Sequence, residues 1–387
     1  MKQKSLIKYV FLLVVGLASF NIQAQEKGIK GWLEKRAALK DTAIAKGRPF
    51  LSPMVGPGYT PENGLLLGGG FIYTFKTNPK DSLIQRSTLP ITTFISTKGN
   101  YGFNAKLASF WAKDKIRFNF KGHFSRANDN YFGIGFSEIN NLQIGDSTTA
   151  YKRKKFILSP TLLFRIIPNV YAGAGVDINS SEVLELNPVM ANNDYYNRFG
   201  PKNFNAGVKF NLNYDSRDIS VNAWKGWFLN FTSTFYGDYL GSDNTYELYE
   251  IDVRTYHQIV REGNVLAAKL YARIGSGDIP YEELTKLGGA NALRGYIEGQ
   301  YRDRTGVYLL TEWRHTFLET DGGLSKHGMT VWLGSGSIAN NPGEINEWIP
   351  NLGVGYRFEV QPRMNVRIDF GLGRESSGLY FNFTEAF

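Results

Sequence analysis

Apolar and polar side chains alternate along most of this chain, in segments of roughly ten residues each. In the segment 265–275, leucine and alanine hold every second position, and lysine, tyrosine and arginine stand between them. The segment 364–373 repeats the pattern, with Asn365, Arg367 and Asp369 on its polar side. A period of two is that of a β-strand. Because each segment confines its charges to one side, the pattern predicts a sheet with one apolar and one polar face.

Sixteen candidate strands follow from this pattern. They are 65–75, 89–96, 101–110, 116–125, 131–139, 151–166, 170–179, 204–214, 226–236, 246–256, 265–275, 306–317, 328–336, 352–360, 364–373 and 378–387. The short connections are 98–100, 127–130, 168–169, 262–264 and 361–363, and the long ones are 76–88, 140–150, 180–203, 276–305 and 337–351. Short turns at one end, long loops at the other and an even strand count are typical of outer-membrane barrels. The predicted fold is all-β, a transmembrane antiparallel β-barrel of about 16 strands over residues 59–387.

The start of the chain predicts export. Residues 1–4 are basic, 9–20 form an apolar run too short to span a bilayer, and Ala24 is suited to cleavage, so residues 1–24 are predicted to be a signal peptide. No later run approaches the roughly 20 apolar residues of a transmembrane helix, and the absence of cysteine excludes disulfides. The high content of glycine, tyrosine and phenylalanine fits a barrel in the bacterial outer membrane. The alternative, a secreted β-sandwich, would place polar residues on every outward face.

Residues 25–58 are predicted to form a short periplasmic leader. Ile29, Trp32 and Leu33 suggest one amphipathic helix there, with a disordered leader as the alternative.

The formal charge of +9 lies partly in the signal peptide. For an exported barrel, basic residues indicate lipid phosphates and not nucleic acid, and the run 152–155 is a candidate for lipopolysaccharide or simply a solvated loop base.

The sequence predicts no enzyme, cofactor or metal site. Its four histidines are dispersed over separate segments, and no Gly-x-Ser-x-Gly element is present. No cysteine is available for soft metals, and no His/Glu pair has zinc spacing. A barrel lipase with serine and histidine on its outer wall remains as a remote alternative.

Four segments in order resemble the BamA/TamA family of outer-membrane proteins, also described as bacterial surface antigens. These segments are 59–62 before a glycine-rich strand, 214–218 followed by 225–226, the loop 287–296, and the end of the chain with 353–358, 367–371 and a strand closing on Phe387. The resemblance covers most of the predicted barrel.

The resemblance implies that Arg294, Gly295 and Tyr296 form a latch, at the tip of a long outside loop that folds into the lumen and docks on its wall. A lumenal guanidinium requires a carboxylate. Glu312 stands where the family carries such an acid, and Asp369 is a second candidate. The family often has another acid one strand later, but the segment 330–334 contains none, which predicts a weaker latch or a different partner. The alternative is an ordinary plug with Arg294 solvated.

Two further sets of residues follow from the resemblance. Asp215, Arg217 and Asp218 are predicted to form a structural salt-bridge corner, with a cation site as the alternative. Phe381, Phe383 and Phe387 resemble the C-terminal signal that delivers barrels to the insertion machinery, and they should share one face of the last strand. Glu385 departs from that signal, since its position is usually apolar.

The resemblance implies a role in inserting or translocating proteins, or lipids, at the outer membrane through a seam between the first and last strands. The family's assembly members carry periplasmic POTRA repeats, and the predicted leader is too short to hold them. We therefore expect a separate POTRA-bearing periplasmic partner. The alternative is a passive channel or a structural barrel.

Overall fold

One sheet of sixteen strands is the main element of the structure, and each strand pairs with the next along the chain. Fourteen neighbouring pairs for which partners are defined are antiparallel. The strands are β1 Phe50–Thr60, β2 Gly64–Phe75, β3 Ser87–Ser96, β4 Tyr101–Trp111, β5 Ile116–Asn130, β6 Ala150–Ile167, β7 Val170–Glu185, β8 Lys202–Asp215, β9 Gly226–Tyr236, β10 Tyr246–Gln258, β11 Asn264–Gly277, β14 Thr305–Leu318, β15 Leu324–Ala339, β16 Ile349–Gln361, β17 Met364–Gly373 and β18 Ser376–Phe383. Between β11 and β14, β12 Thr285–Leu287 and β13 Tyr301–Asp303 form a separate two-stranded sheet. The all-β, antiparallel prediction is confirmed.

The computed structural model describes residues 39, 42–43, 46–60, 64–81, 84–142 and 149–387. The chain divides into two compact units, 1–50 and 51–387. In the first unit, the amide of Lys46 donates to the carbonyl of Thr42 at 3.0 Å, within a short helical turn. The predicted signal peptide and amphipathic helix lie outside the described residues.

The two faces of the sheet divide apolar from charged residues, as the alternation predicts. On β14, Leu309 and Trp313 are exposed on the outer face, whereas Tyr308, Glu312 and Arg314 are buried on the inner face. Leucine, isoleucine and phenylalanine are similarly exposed along β16 and β17. Placing the charges inside avoids a penalty of about 2–4 kcal/mol for each lysine or arginine at the middle of a bilayer.

Two assignments at the strand level were wrong. The segment 131–139 is not a strand, because β5 continues to Asn130 in register with β6 and the chain then turns into a short helix, α1 Gly135–Asn140. The missed strand is β1, which begins within the end of the predicted leader. Its sequence contains Pro53 and Pro57, which sequence reasoning takes as breaks. A strand at the end of the sheet order tolerates proline, since one side of it need not donate to a neighbour.

These two errors also misplace one long connection. We call the end of the sheet that carries residues 278–304 the loop end, and the opposite end the turn end. Counting strands from β1 places 76–86 at the turn end and the short turn 97–100 at the loop end, opposite to the prediction. The loop end also carries α1 and two further short helices, α2 Pro188–Ala191 and α3 Asp194–Phe199.

The sheet curls until its first and last strands lie side by side. A methyl group built on Gly56 of β1 would meet the ring of Phe381 of β18 at 3.4 Å. Near the turn end, the hydroxyl of Thr74 on β2 donates to Gln361 on β16 at 3.1 Å, although many strands separate them in the sheet order. Of the helices described, none is long and apolar enough to cross a membrane.

Candidate functional site

The loop 278–304 folds back onto the inner face of the sheet. Its two stems are paired by the ladder of β12 and β13, in which Leu287 lies opposite Tyr301. Beyond the ladder, Gly288 and Gly295 have φ angles of +102° and +117°, a region that residues with side chains rarely adopt. These glycines reverse the chain, and the amide of Gly289 donates to the carbonyl of Tyr296 at 2.9 Å. The loop therefore presents the side chain of its arginine from a tight, preformed turn.

Arg294 is wholly buried between two carboxylates of the sheet. Its Nη1 donates to Asp369 Oδ2 on β17 at 2.9 Å, and its Nη2 donates to Glu312 Oε1 on β14. All three side chains have no exposed surface. An unpaired charge at this depth would cost several kcal/mol. The contacts with both carboxylates therefore hold the loop against the wall.

Trp332 lies in the segment 330–334, in which the sequence offers no further acid for Arg294. It lies directly opposite Glu312 in the register of β14 and β15. The centre of its ring is 3.6 Å from the guanidinium carbon of Arg294, and its Nε1 donates to Asn351 Oδ1 at 3.0 Å. A buried cation over a tryptophan face is stabilised by about 2 kcal/mol. The sequence predicted a weaker latch because the segment lacks an acid. The ring of Trp332, which was not predicted as a partner of Arg294, compensates for that acid.

Gly295 and Tyr296 bind neighbouring strands through the backbone and one hydroxyl. The amide of Gly295 donates to the hydroxyl of Tyr380 on β18 at 2.9 Å, and this hydroxyl donates to the carbonyl of Tyr296 at 3.1 Å. The hydroxyl of Tyr296 donates to the carbonyl of Pro350 at 2.6 Å and accepts from the amide of Arg374 at 2.6 Å. The Arg294–Tyr296 segment thus contacts strands β14 to β18.

The loop approaches the sheet closely because glycine lines its docking surface. A methyl group on Gly371 would lie 2.3 Å from the carbonyl oxygen of Arg294, and one on Gly373 would lie 2.3 Å from the ring of Tyr296. Real contacts of this kind are longer, so any side chain at these two positions would displace the loop. The Gly-rich end of β17 is therefore shaped for the loop.

Asp369 joins three arginines at the centre of this wall. Besides Arg294, it accepts from Arg357 Nη1 at 2.6 Å and from Arg367 Nη1 at 2.5 Å. Both of these side chains are buried. The sequence alternation identifies Asp369 and Arg367 as inward-facing, but it does not indicate that three cations share one carboxylate. That requires the register of neighbouring strands.

Glu312 and Glu385 pair with further arginines of this wall. Glu312 accepts from Arg314 Nε at 2.9 Å, and Glu385 accepts from Arg357 Nε at 2.9 Å. Glu385 also accepts from the side-chain amide of Asn365 at 2.7 Å. We refer to Arg294, Arg314, Arg357, Arg367, Glu312, Asp369 and Glu385 as the buried ion network. It couples the loop to β14, β16, β17 and the end of the chain.

The position of Glu385 corrects the prediction for the end of the chain. Strand β18 ends at Phe383, and Thr384 adopts a φ of +64°, which turns the following residues onto the inner face. Phe381 remains exposed outside, but Phe387 is buried beside Tyr256 and no longer shares its face. The inward turn brings Glu385 to Arg357 and packs Phe387 into the buried apolar cluster.

The predicted corner lies at the turn end. Arg217 Nε donates to Asp215 Oδ1 at 2.8 Å, and Arg117 Nη1 of β5 donates to Asp215 Oδ2 at 2.8 Å. Asp218 instead accepts from Arg363 Nη2 at 2.8 Å. Within the described residues, no three acidic or histidine side chains form a cluster suited to a metal ion. These contacts are those of an ion-paired corner that joins three turns.

The basic run 152–155 divides between the two faces of β6. Lys152 and Lys154 lie on the outer face and pair with glutamates of β7 at 3.3 and 3.2 Å. Arg153 lies on the inner face and pairs with Asp129 at 2.6 Å. The four basic residues therefore do not form one continuous surface for lipopolysaccharide, because every second side chain lies on the other face.

Glu282 anchors the base of the loop beneath the short helices. Burial alone would raise its pKa, but Arg153, Lys286 and Arg302 hold the pKa well below the usual 4.5. Lys286 Nζ lies 3.4 Å from Glu282 Oε2. The carboxylate is therefore ionised throughout the neutral range, and it ties the loop to the wall of β6.

The chain is similar to one known protein family and to several solved structures. A family model described as the Omp85 superfamily domain matches residues 87–333. BamA from Haemophilus ducreyi, in a crystal structure lacking POTRA domains 1-3, aligns with a TM-score of 0.55 and 14% identity, over 87% of this chain and 70% of that chain. CdiB from Escherichia coli aligns with a TM-score of 0.52 and 11% identity, over 87% of this chain and 61% of that chain.

CdiB from Acinetobacter baumannii aligns with a TM-score of 0.50 and 10% identity, over 87% of this chain and 58% of that chain. The present chain therefore spans less than two thirds of either CdiB chain. No curated protein matches its sequence. At these identities, the structural likeness concerns the fold.

Proposed function

Because the chain belongs to the Omp85 superfamily, we propose that it assists the insertion or translocation of proteins or lipids at the bacterial outer membrane. The family match carries this proposal. The structural likeness to BamA and CdiB supports an outer-membrane barrel as the setting. The proposed work is mechanical and non-enzymatic, and no cofactor enters it.

In this proposal, Arg294, Gly295 and Tyr296 form a latch, with Glu312 and Asp369 as its acceptors. The latch holds the loop against β14 to β18, the part of the sheet that ends at the seam between β1 and β18. Its support is the complete burial of Arg294 between the two carboxylates. A rigid wall on one side of the seam would leave β1, at the other side, as the element that moves.

A separate POTRA-bearing periplasmic protein is the proposed partner, together with outer-membrane lipid. Depletion of this protein in its own host, followed by quantification of the outer-membrane proteome, tests the proposal. Loss of many barrels is expected for a general insertion role, and loss of one or a few surface proteins for a dedicated route. An outer membrane unchanged in both its proteins and its lipids would overturn it.

The second candidate is a passive channel, which is favoured by solvent-exposed lysines on the inner face of β4 and β5. Conductance of the purified protein in a planar bilayer separates the two functions. A large, steady conductance in the unaltered protein supports the channel. A small conductance that rises when Arg294 is replaced by methionine supports the latch.

A further inference from the structure

Three lysines form a row on the inner face of the sheet, away from the loop. Lys106 of β4 lies directly opposite Lys121 of β5, and Lys121 lies directly opposite Ser159 of β6. Lys209 of β8 reaches the same place, because its Nζ donates to Ser159 Oγ at 2.5 Å. We refer to Lys106, Lys121 and Lys209 as the lysine row.

The lysine row faces the interior. Arg117, four residues before Lys121 on the same face of β5, bonds with Asp215 of β8 at 2.8 Å, and both are buried. Because the side-chain period of a strand is two, Lys121 points to the side that carries Arg117. Lys106 and Lys121 are nevertheless solvent-exposed. The space beside them is therefore open to water, although it lies within the curled sheet.

Within the residues that the structure describes, the lysine row has no ion-paired carboxylate, and Asp177, Glu250 and Asp252 act on it only from beyond ion-pair distance. In the described part of the chain, no carboxylate oxygen lies within 4.0 Å of the ammonium groups of Lys106, Lys121 or Lys209. Asp177 accepts from the hydroxyl of Tyr236 at 2.9 Å. Across the interior, Asp252 is shared by two cations of β10 and β11.

Like charges placed directly opposite each other destabilise a sheet. Lys106 and Lys121 therefore oppose folding slightly, and any single exchange for glutamate or glutamine would relieve the repulsion. Neutral polar residues share the face beside Lys121, among them Ser159 and Asn119. Such a set of donors has the chemistry of an oxyanion site, since each ammonium group offers three N–H donors.

We propose that the lysine row is a binding site for a phosphate group inside the curled sheet. Two facing ammonium groups on adjacent strands can each donate to different oxygens of one tetrahedral anion, and Lys209, which donates to Ser159 opposite Lys121, is placed to add a third donor. The phosphate belongs either to a free ion or to the headgroup of a lipid. This inference does not depend on the proposed insertion or translocation function.

Titration of inorganic phosphate into the full chain in maltoside micelles, followed by calorimetry, tests the site. The variant Lys106→Gln/Lys121→Gln should bind phosphate roughly tenfold or more weakly than the unaltered protein. The matched control Lys152→Gln/Lys154→Gln removes the same charge from the outer face of β6 and should leave binding unchanged. Equal binding by all three proteins, or none by the unaltered protein, overturns the proposal.

Thermal unfolding supplies a second readout that a purely structural lysine pair would not give. Without phosphate, Lys106→Gln/Lys121→Gln should unfold at a higher temperature than the unaltered protein, because the repulsion is gone. Phosphate should raise the unfolding temperature of the unaltered protein and leave that of the variant unchanged. A variant and an unaltered protein that respond equally to phosphate would contradict the site.

Competition distinguishes the two sources of the phosphate. Dihexanoyl phosphatidic acid, a short-chain lipid, should displace inorganic phosphate at a much lower concentration than glycerol 3-phosphate if the site takes a headgroup. Equal displacement by the two compounds assigns the site to the phosphate group alone. Failure of both compounds to displace phosphate assigns the site to the free ion.

Discussion

The two sides of the inner face carry two clusters of charged side chains that differ in their pairing. On β14 to β17, the cations of the buried ion network each meet a carboxylate, and their side chains are almost fully withdrawn from water. On β4 to β8, Lys106 and Lys121 of the lysine row are exposed to water, and no member of the row has a carboxylate within 4.0 Å among the described residues. A buried charge has to be paired, whereas a hydrated one need not be. The first side is therefore suited to hold the loop, and the second to receive a ligand.

The largest expected effect is that of Arg294→Met. It removes two charge-assisted hydrogen bonds to buried carboxylates and the contact with Trp332, which should lower the free energy of unfolding by about 3–5 kcal/mol. Denaturant unfolding of the protein in micelles measures it. Arg198→Met is the matched control, since Arg198 forms an exposed pair with Asp278 and should cost less than about 1 kcal/mol. Equal losses in both variants would show that burial does not set the strength of the latch.

Replacement of Trp332 by leucine should have the next largest effect. The variant loses a cation–π contact of about 2 kcal/mol and the hydrogen bond to Asn351. Trp332→Phe keeps an aromatic face over Arg294 and should cost only about 1 kcal/mol for the lost hydrogen bond. If both variants were equally unstable in denaturant unfolding, the ring would not contribute through the cation.

Gly371→Ala tests how closely the loop is docked. The added methyl group would overlap the carbonyl of Arg294, so the variant should lose about 1–3 kcal/mol and expose the loop to protease. Gly343→Ala is the control, because nothing lies within 4 Å of the corresponding methyl group. A loop that resists protease equally in both variants would contradict the close approach.

The smallest expected effect has the opposite sign. Lys121→Glu converts the facing pair with Lys106 from repulsive to attractive, and should raise the free energy of unfolding by about 0.2–1 kcal/mol in phosphate-free buffer. The gain should shrink as salt is added, because the pair is hydrated. A loss of stability would indicate that Lys121 already has a compensating partner.

The fold could largely be predicted because alternation is a local property. The side of β17 that carries Arg367 and Asp369 can be predicted from the ten consecutive residues of this strand. Strand β1 was missed because its two prolines resemble a linker, and only its position at the end of the sheet order explains why they are tolerated. The segment 131–139 was wrongly predicted as a strand because it is rich in apolar residues. These residues do not face lipid, since Tyr131 and Phe132 pack in the buried clusters beneath the loops.

The site could be predicted only in part, since its remaining contacts depend on register. The sequence placed Glu312 and Asp369 as acceptors for Arg294 by resemblance. The sequence did not predict that Trp332 lies opposite Glu312, because the register of two strands cannot be derived from the residues of either strand alone. The ion pair of Glu385 could not be predicted either. The chain turns inward at Thr384, and this turn interrupts the alternation from which the facing of each side chain was predicted.

A double-mutant cycle on Arg294 and Glu312 tests the central claim most directly. Arg294→Met, Glu312→Gln and the double variant would be unfolded in denaturant under the same conditions. If the loop is held by this pair, the double variant should be more stable than the sum of the single effects predicts, by about 0.5–3 kcal/mol. Additive losses would contradict the account, since they would mean that the two side chains do not interact in the folded protein.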